Sequence, residues 1–174
     1  MPTPDRTSRA AIVAAARDLL ESGGPAGITM QAVAGRVGVR APSLYKRVRD
    51  RDALVTLVAR ATAEELGARL QACEGTFAVL ARTYRAFAHE RPEGFRLMFA
   101  VDAAAEEMGR ASMPVIEAAR VLVGEARALD AARLLAAWVT GFVTMELAGA
   151  FRFDGDVDRA FEFGLEHLVA GLRP

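Results

Sequence analysis

The stretch from residue 29 to 52, T-M-Q-A-V-A-G-R-V-G-V-R-A-P-S-L-Y-K-R-V-R-D-R-D, leaves the chain little choice of local fold. Met30, Val33, Ala34 and Val37 recur at i, i+3, i+4 and i+7, which gives a short helix one apolar stripe, and Thr29 stands before it as an N-cap. Gly38 stops that helix. Pro42 then offers a preset φ for the first turn of a second one, which must be short because Arg49, Asp50 and Arg51 follow at once. Two short helices across a glycine turn predict a helix-turn-helix.

On the second helix Leu44 and Val48 fall together and face inward, while Ser43, Lys46 and Arg47 share the other side with Pro42 and Tyr45 at its edge. That outer face carries no acid. Phosphate oxygens along the rims of a duplex, and guanine N7 and O6 on the major-groove floor, accept what such a face donates. A solvated basic surface is the plain alternative, and the glycine turn between two apolar stripes argues against it. Lys and Arg together number 22, as do Asp and Glu, yet residues 1 to 60 hold ten basic residues against five acids. The head is therefore positive and the remainder equally negative, which suits DNA at one end and repels it at the other. An anionic membrane would attract the same head, but its basic residues flank a turn and do not line one long amphipathic helix.

The segment G-I-T-M-Q-A-V-A-G-R-V-G-V-R-A-P-S-L-Y-K-R-V-R-D-R-D-A-L resembles the DNA-binding signature of the TetR/AcrR family of bacterial one-component repressors. Thr29, Ala34, Gly38-Val39, Ser43-Leu44-Tyr45, Val48 and Asp52-Ala53-Leu54 carry the likeness; Gly35, Ala41 and Arg47 depart from the usual residues and bear on which operator is read. R-P-E-G-F-R-L-M-F at 91–99 and W-V-T-G at 138–141 are similar to the family's Trp-x-His-Gly regulatory subgroup, with Thr140 in the place of its His. The resemblance implies a non-enzymatic, homodimeric regulator of transcription, a repressor, that binds a palindromic operator. Gln31, Arg40, Ser43 and Arg47 are the candidates for base edges, Arg47 and Gln31 foremost. Thr29, Tyr45, Lys46 and Arg51 are the candidates for phosphate, which Ser43 and Arg40 can also serve.

The rest of the chain reads as all-α. Residues 1 to 6 form a disordered arm with Pro2, Pro4 and Arg6. Ile12, Ala16, Leu19 and Leu20 give a first helix that supports the head and ends at Gly23-Gly24. Asp50 is placed to cap a fourth helix running to about Ala72, a lever from head to body. A fifth helix follows Thr76, Pro92 opens a sixth, and a seventh covers Ala103 to Arg127 with Pro114 kinking or splitting it. Asp130 is expected to cap an eighth helix, Ala131 to about Ala150, and Asp156 a ninth. About nine helices result, with residues 1–50 as DNA-binding domain and 51–174 as ligand-binding and dimerisation domain.

An aromatic and methionine-rich bundle with a kink is where a cavity can open for a small apolar effector. Its lining is drawn from Phe77, Tyr84, Phe87, Phe95, Met98, Phe99, Met108, Met113, Trp138 and Phe142, any of which can equally be plain core. Apolar residues cover most of the circumference of the eighth helix, more than one subunit buries with a single stripe. Leu134, Val139, Val143 and Leu147, with Phe161, Leu165, Leu168 and Leu172 on the ninth, therefore read as half of a four-helix bundle completed by a second copy. Residues 131–151 are long enough to span a bilayer but are broken by Arg133, Thr140, Thr144 and Glu146, so no membrane partner is expected. Glu146 reads as a structural acid paired with an arginine.

Catalysis needs a constellation that the chain does not supply. His89 and His167 lie far apart with only Glu90 and Glu166 beside them, so neither a metal nor another cofactor is expected. A phosphate-cradling glycine loop and a Gly-x-Ser-x-Gly are missing. Cys73, the one cysteine, excludes an intrachain disulfide, and with no signal peptide at the start it fits a reducing cytoplasm. The alternatives are an all-helical dimeric binding protein that no longer touches DNA and a ligand-independent regulator.

Overall fold

The computed structural model describes residues 8–73 and 75–173; the expected arm at residues 1–6 and Glu74, the neighbour of Cys73, lie outside them. Among the described residues the regular structure is ten α-helices and two 3₁₀ turns. In chain order these are α1 (Arg9–Gly27), α2 (Met30–Val37), α3 (Ala41–Leu44), α4 (Arg51–Gln71), α5 (Phe77–Glu90), α6 (Pro92–Ala100), α7 (Ala105–Ala111), α8 (Met113–Val123), α9 (Ala128–Leu147) and α10 (Val157–Leu172). The 3₁₀ turns, Asp102–Ala104 and Glu125–Arg127, lead into α7 and α9.

Several ends fall where local chemistry puts them. Ser8, Thr29 and Asp156 accept from the amides of Ala11, Ala32 and Arg159, and Asp50 Oδ1 accepts from Ala53 N–H at 2.8 Å. Each such cap is worth about 0.5–2 kcal/mol. Other ends move. α1 bends at Gly24 but runs on through Pro25 to Gly27. The expected seventh helix divides at Ser112, which leaves Pro114 in the first turn of α8, where a missing N–H costs nothing. The stop after α8 is Gly124, and α9 starts earlier than expected, so Asp130 lies in its first turn and is not its cap.

The chain forms two compact units, Met1–Glu65 with Arg91–Glu107 and Leu66–Glu90 with Met108–Pro174. The division falls inside α4 and assigns α6 to the first unit, whereas the sequence boundary was expected at residue 50.

The first unit closes on Ile12, Ala16, Leu20, Ile28, Val33, Leu44, Leu54 and Val58, all but buried, with Phe95 and Met98 of α6. Glu21 of α1 accepts from the free amides of Glu93 and Gly94 at 3.1 and 2.9 Å, so a carboxylate caps the N-terminus of α6. Arg60 Nε donates to the buried Glu107 at 2.7 Å.

The second unit is built on Phe87, Leu135, Val143 and Phe161, which are fully buried, with Val139 and Leu165 nearly so. Burial of each such side chain stabilises by about 1.5–3 kcal/mol. Val139, Val143, Phe161 and Leu165 were expected between subunits, and this is a correction: the stripe they form is the subunit's own core and leaves no surface for a partner. Leu147, Leu168 and Leu172 are half-buried, while Leu134 is 48% exposed. The outward face of α9 is the turn-by-turn run Leu134, Ala137, Gly141, Met145, and on α10 it is Phe163 and His167. Glu125–Leu147 is long and apolar enough to cross a membrane by composition. In this unit the same helix packs on α5, α8 and α10.

Candidate nucleic-acid interface

The interface is built on two short helices of the first unit. α2 ends at Gly38 with φ 75°, a conformation glycine adopts freely. The amide of Val39 donates to Ala34 O at 2.9 Å and that of Gly38 to Gly35 O at 3.2 Å, a paired closure that satisfies the last carbonyls of the helix. Arg40 then starts α3, and although α3 proper is four residues, Arg47 and Val48 amides both donate to Leu44 O, so the helical turn carries on past it.

Leu44 and Val48 are 0% and 3% exposed and hold this turn to the unit from behind. Tyr45, Lys46 and Arg47 face solvent on its outer side, Ser43 is half-buried, and Gln31 and Arg40 are exposed on the adjoining residues of α2 and the turn. Thr29 is exposed, and its Oγ1 accepts from Ala32 N–H at 3.0 Å. The sequence-derived face is therefore brought together, with one exception. Arg51, its side chain 44% exposed, is tied back to the end of α1: its Nε donates to Ile28 O at 2.8 Å and its Nη2 to Pro25 O at 2.6 Å. Asp50 is the nearest acid, and donation from Ala53 N–H and then Arg49 holds its carboxyl below the ordinary carboxylate range. Its carboxylate caps α4 and pairs with Arg49 at 2.6 Å.

The profile described as "Bacterial regulatory proteins, tetR family" matches residues 12–58, and the "Tetracyclin repressor-like, C-terminal domain" matches residues 77–168. The chain belongs to the TetR family. No curated protein matches it. Among solved structures, a protein of unknown function from Rhodococcus sp. RHA1 superposes with TM-score 0.83 at 24% identity, covering 99% of this chain and 100% of that one. BioQ with its natural double-stranded DNA operator does so with TM-score 0.67 at 24% identity over 95% and 97% of the two chains. At that identity both show the fold. A TetR variant from Acinetobacter baumannii AYE in complex with minocycline is 27% identical, with TM-score 0.67 over 94% and 95%. As a TetR-family member the chain is a DNA-binding transcriptional regulator, not an enzyme.

The family's C-terminal region corresponds to the second unit and part of the first, and its candidate residues have mixed fates. Phe77, Phe87, Phe95 and Met98 are buried in packing, Met108 is half-buried, and Phe99 and Met113 are 51% and 58% exposed. Phe95, Met98 and Phe99 belong to the first unit, the other seven to the second. Trp138 stacks on Phe161 at 5.4 Å between centroids, with Phe142 against both, which makes them a packed aromatic cluster. Tyr84 shares a 2.9 Å hydrogen bond with Thr140, the residue in the His place of W-V-T-G, and burial raises its phenol to about 12 against the opposing pull of that bond.

Sequence reasoning missed the polar cleft beside this cluster. Arg82, Arg85, His89, Glu146, Asp158 and Glu162 line an open cavity of about 490 Å³. Glu146 accepts from Arg85 Nε at 2.9 Å and lies 3.1 Å from His89 Nε2; Arg85 reaches Asp158 at 2.6 Å. Donation from Arg85 keeps the Glu146 carboxyl below its ordinary range despite partial burial. Glu146 is thus the arginine-paired acid the sequence suggested; that two more acids and a histidine converge there needed the crossing of α5, α9 and α10.

Proposed function

We propose that this TetR-family chain is a cytoplasmic, homodimeric repressor released from a palindromic operator by a small apolar effector. The observation that carries the reading is the outward run from Ser43 to Arg47, free of acids and pinned from behind by Leu44 and Val48. Arg47 and Gln31 read base edges, since a guanidinium pairs bidentately with guanine and a carboxamide with adenine. Arg40 and Ser43 reach bases or the adjacent backbone. Thr29, Tyr45 and Lys46 hold phosphate; the Thr29 hydroxyl, while accepting from Ala32, keeps its own proton to donate. Residues 1–50 act as the DNA-binding domain and 51–174 as the domain for ligand and partner.

Two copies meet through the exposed Leu134 and Met145 of α9, with small Ala137 and Gly141 between them, and through Phe163 of α10, which is 63% exposed. An isologous pairing of this face buries all five on both chains and sets two α3 turns at groove spacing. The effector site is drawn from Phe77, Tyr84, Phe87, Met108, Met113, Trp138 and Phe142 of the second unit, and Phe77 and Phe87, which are buried, line it only in a body the effector has opened. Its leverage on operator release is limited to its differential affinity for the two states. The complex of the A. baumannii relative with minocycline supports a small-molecule effector as the class.

Competition binding tests the reading. Arg47→Ala is expected to cost about 1–3 kcal/mol at one base-pair position of a selected operator while binding to random duplex barely changes. Equal loss on every sequence contradicts base reading by Arg47, and failure of any sequence to outlast random competitor contradicts operator binding.

A further inference from the structure

We infer that Arg51 is a positioning residue that fixes where α2 begins and is not one of the cations that neutralise operator phosphate. The inference rests on the operator-binding reading. The carbonyls of the last turn of a helix have no partner within it, and α1 brings no basic residue of its own to that turn. Arg51, the first residue of α4, supplies the missing donors across 23 and 26 residues of chain: Nε to Ile28 O at 2.8 Å, Nη2 to Pro25 O at 2.6 Å. Its remaining nitrogen, Nη1, lies 3.8 Å from Asp52 Oδ1. A cation at the negative end of the α1 dipole gains from the dipole as well as from the two bonds.

What the clamp holds is the origin of the recognition unit. Pro25 O also accepts from Ile28 N–H at 3.4 Å, Ile28 is fully buried, and the Thr29 amide donates to Gly27 O at 3.0 Å. Two residues beyond Ile28, α2 starts, and Gln31 is its second residue. A displacement of the first turn of α4 is therefore transmitted to α2 through Arg51 as well as to α3 through the chain. Only a planar fork spans both carbonyls; an ammonium keeps the charge and loses the span.

The test is the salt dependence of binding, measured with full-length wild type, Arg51→Ala and Arg51→Lys on a duplex selected from a random pool. Both variants are expected to bind about tenfold more weakly, by the same factor at every salt concentration, with the log–log slope of wild type. A slope for Arg51→Ala shallower by about 0.9, the release from one phosphate, with Arg51→Lys close to wild type, overturns the inference. So does wild-type affinity in both variants. Should Arg51→Ala lose its helical circular dichroism, Arg51→Lys carries the comparison. If wild type binds no duplex in a salt-dependent way, the operator reading fails by itself, and the clamp is judged in DNA-free protein from hydrogen exchange at the Arg51 Nε–H: slower than at the exposed Arg40 supports it, equal rates overturn it.

Discussion

At the scale of single residues, environment separates side chains that look alike in sequence. Arg47 and Arg51 stand four apart in the same basic run, and it is Arg51 that donates to the carbonyls at the end of α1, while Arg47 is exposed on the outer side of the α3 turn. Nothing local distinguishes them, because the acceptors lie more than twenty residues upstream. The two tyrosines also differ: Tyr45 is 54% exposed on the outer side of the α3 turn, and Tyr84 is half-buried against Thr140. Burial penalises the phenolate, so Tyr84 keeps its proton to about 12 in the folded chain, whereas an unfolded tyrosine ionises near 10. The folded pKa lies above the unfolded one; this contribution to stability is therefore complete below about pH 10 and is lost as pH rises through about 12. In Tyr45→Phe, where Tyr84 is the one tyrosine left, phenolate absorbance is expected to rise near 12; a midpoint near 10 shows a solvated ring.

At the scale of helices, ends marked by a side chain with one local job were legible and ends set by packing were not. Thr29, Gly38, Asp50, Pro92 and Asp156 each stop or start a helix as their chemistry dictates. The alanine-rich stretch around Gly124 gives little periodic contrast, and the 3₁₀ turn that lengthens α9 backwards left no signal of its own. α9 shows the deeper limit. Its apolar residues surround the axis, so periodicity says that it is covered on several sides without saying by what. Val139 and Val143 turned out to serve the core, and Leu134 and Met145 the outside. The α9–α10 crossing offers a direct check. A Cβ on Gly164 would run into the Trp138 ring, which is itself held on Phe161. Gly164→Ala is expected to cost about 1–3 kcal/mol in denaturant unfolding and to shift the emission of Trp138, the one tryptophan. An unchanged midpoint with unchanged emission contradicts that close approach.

At the scale of the molecule, an all-α chain with a basic first third and an acidic remainder belongs to a family of DNA-binding regulators; charge distribution and turn chemistry pointed to DNA, and the resemblance of the segment around Thr29 to Leu54 pointed to the family. The candidate effector site was the least legible part, because an aromatic or methionine that lines a cavity and one that fills a core share the same helical spacing. α4 contributes residues to both compact units, and Arg51 ties its first turn to the end of α1. A homodimeric repressor, as proposed, presents the α3 turn to DNA twice, and footprinting on a duplex selected from a random pool reads that out. Two protected half-sites related by a dyad are expected, their centres about 34–36 Å apart or a multiple of that. A single protected half-site without symmetry would contradict the proposal.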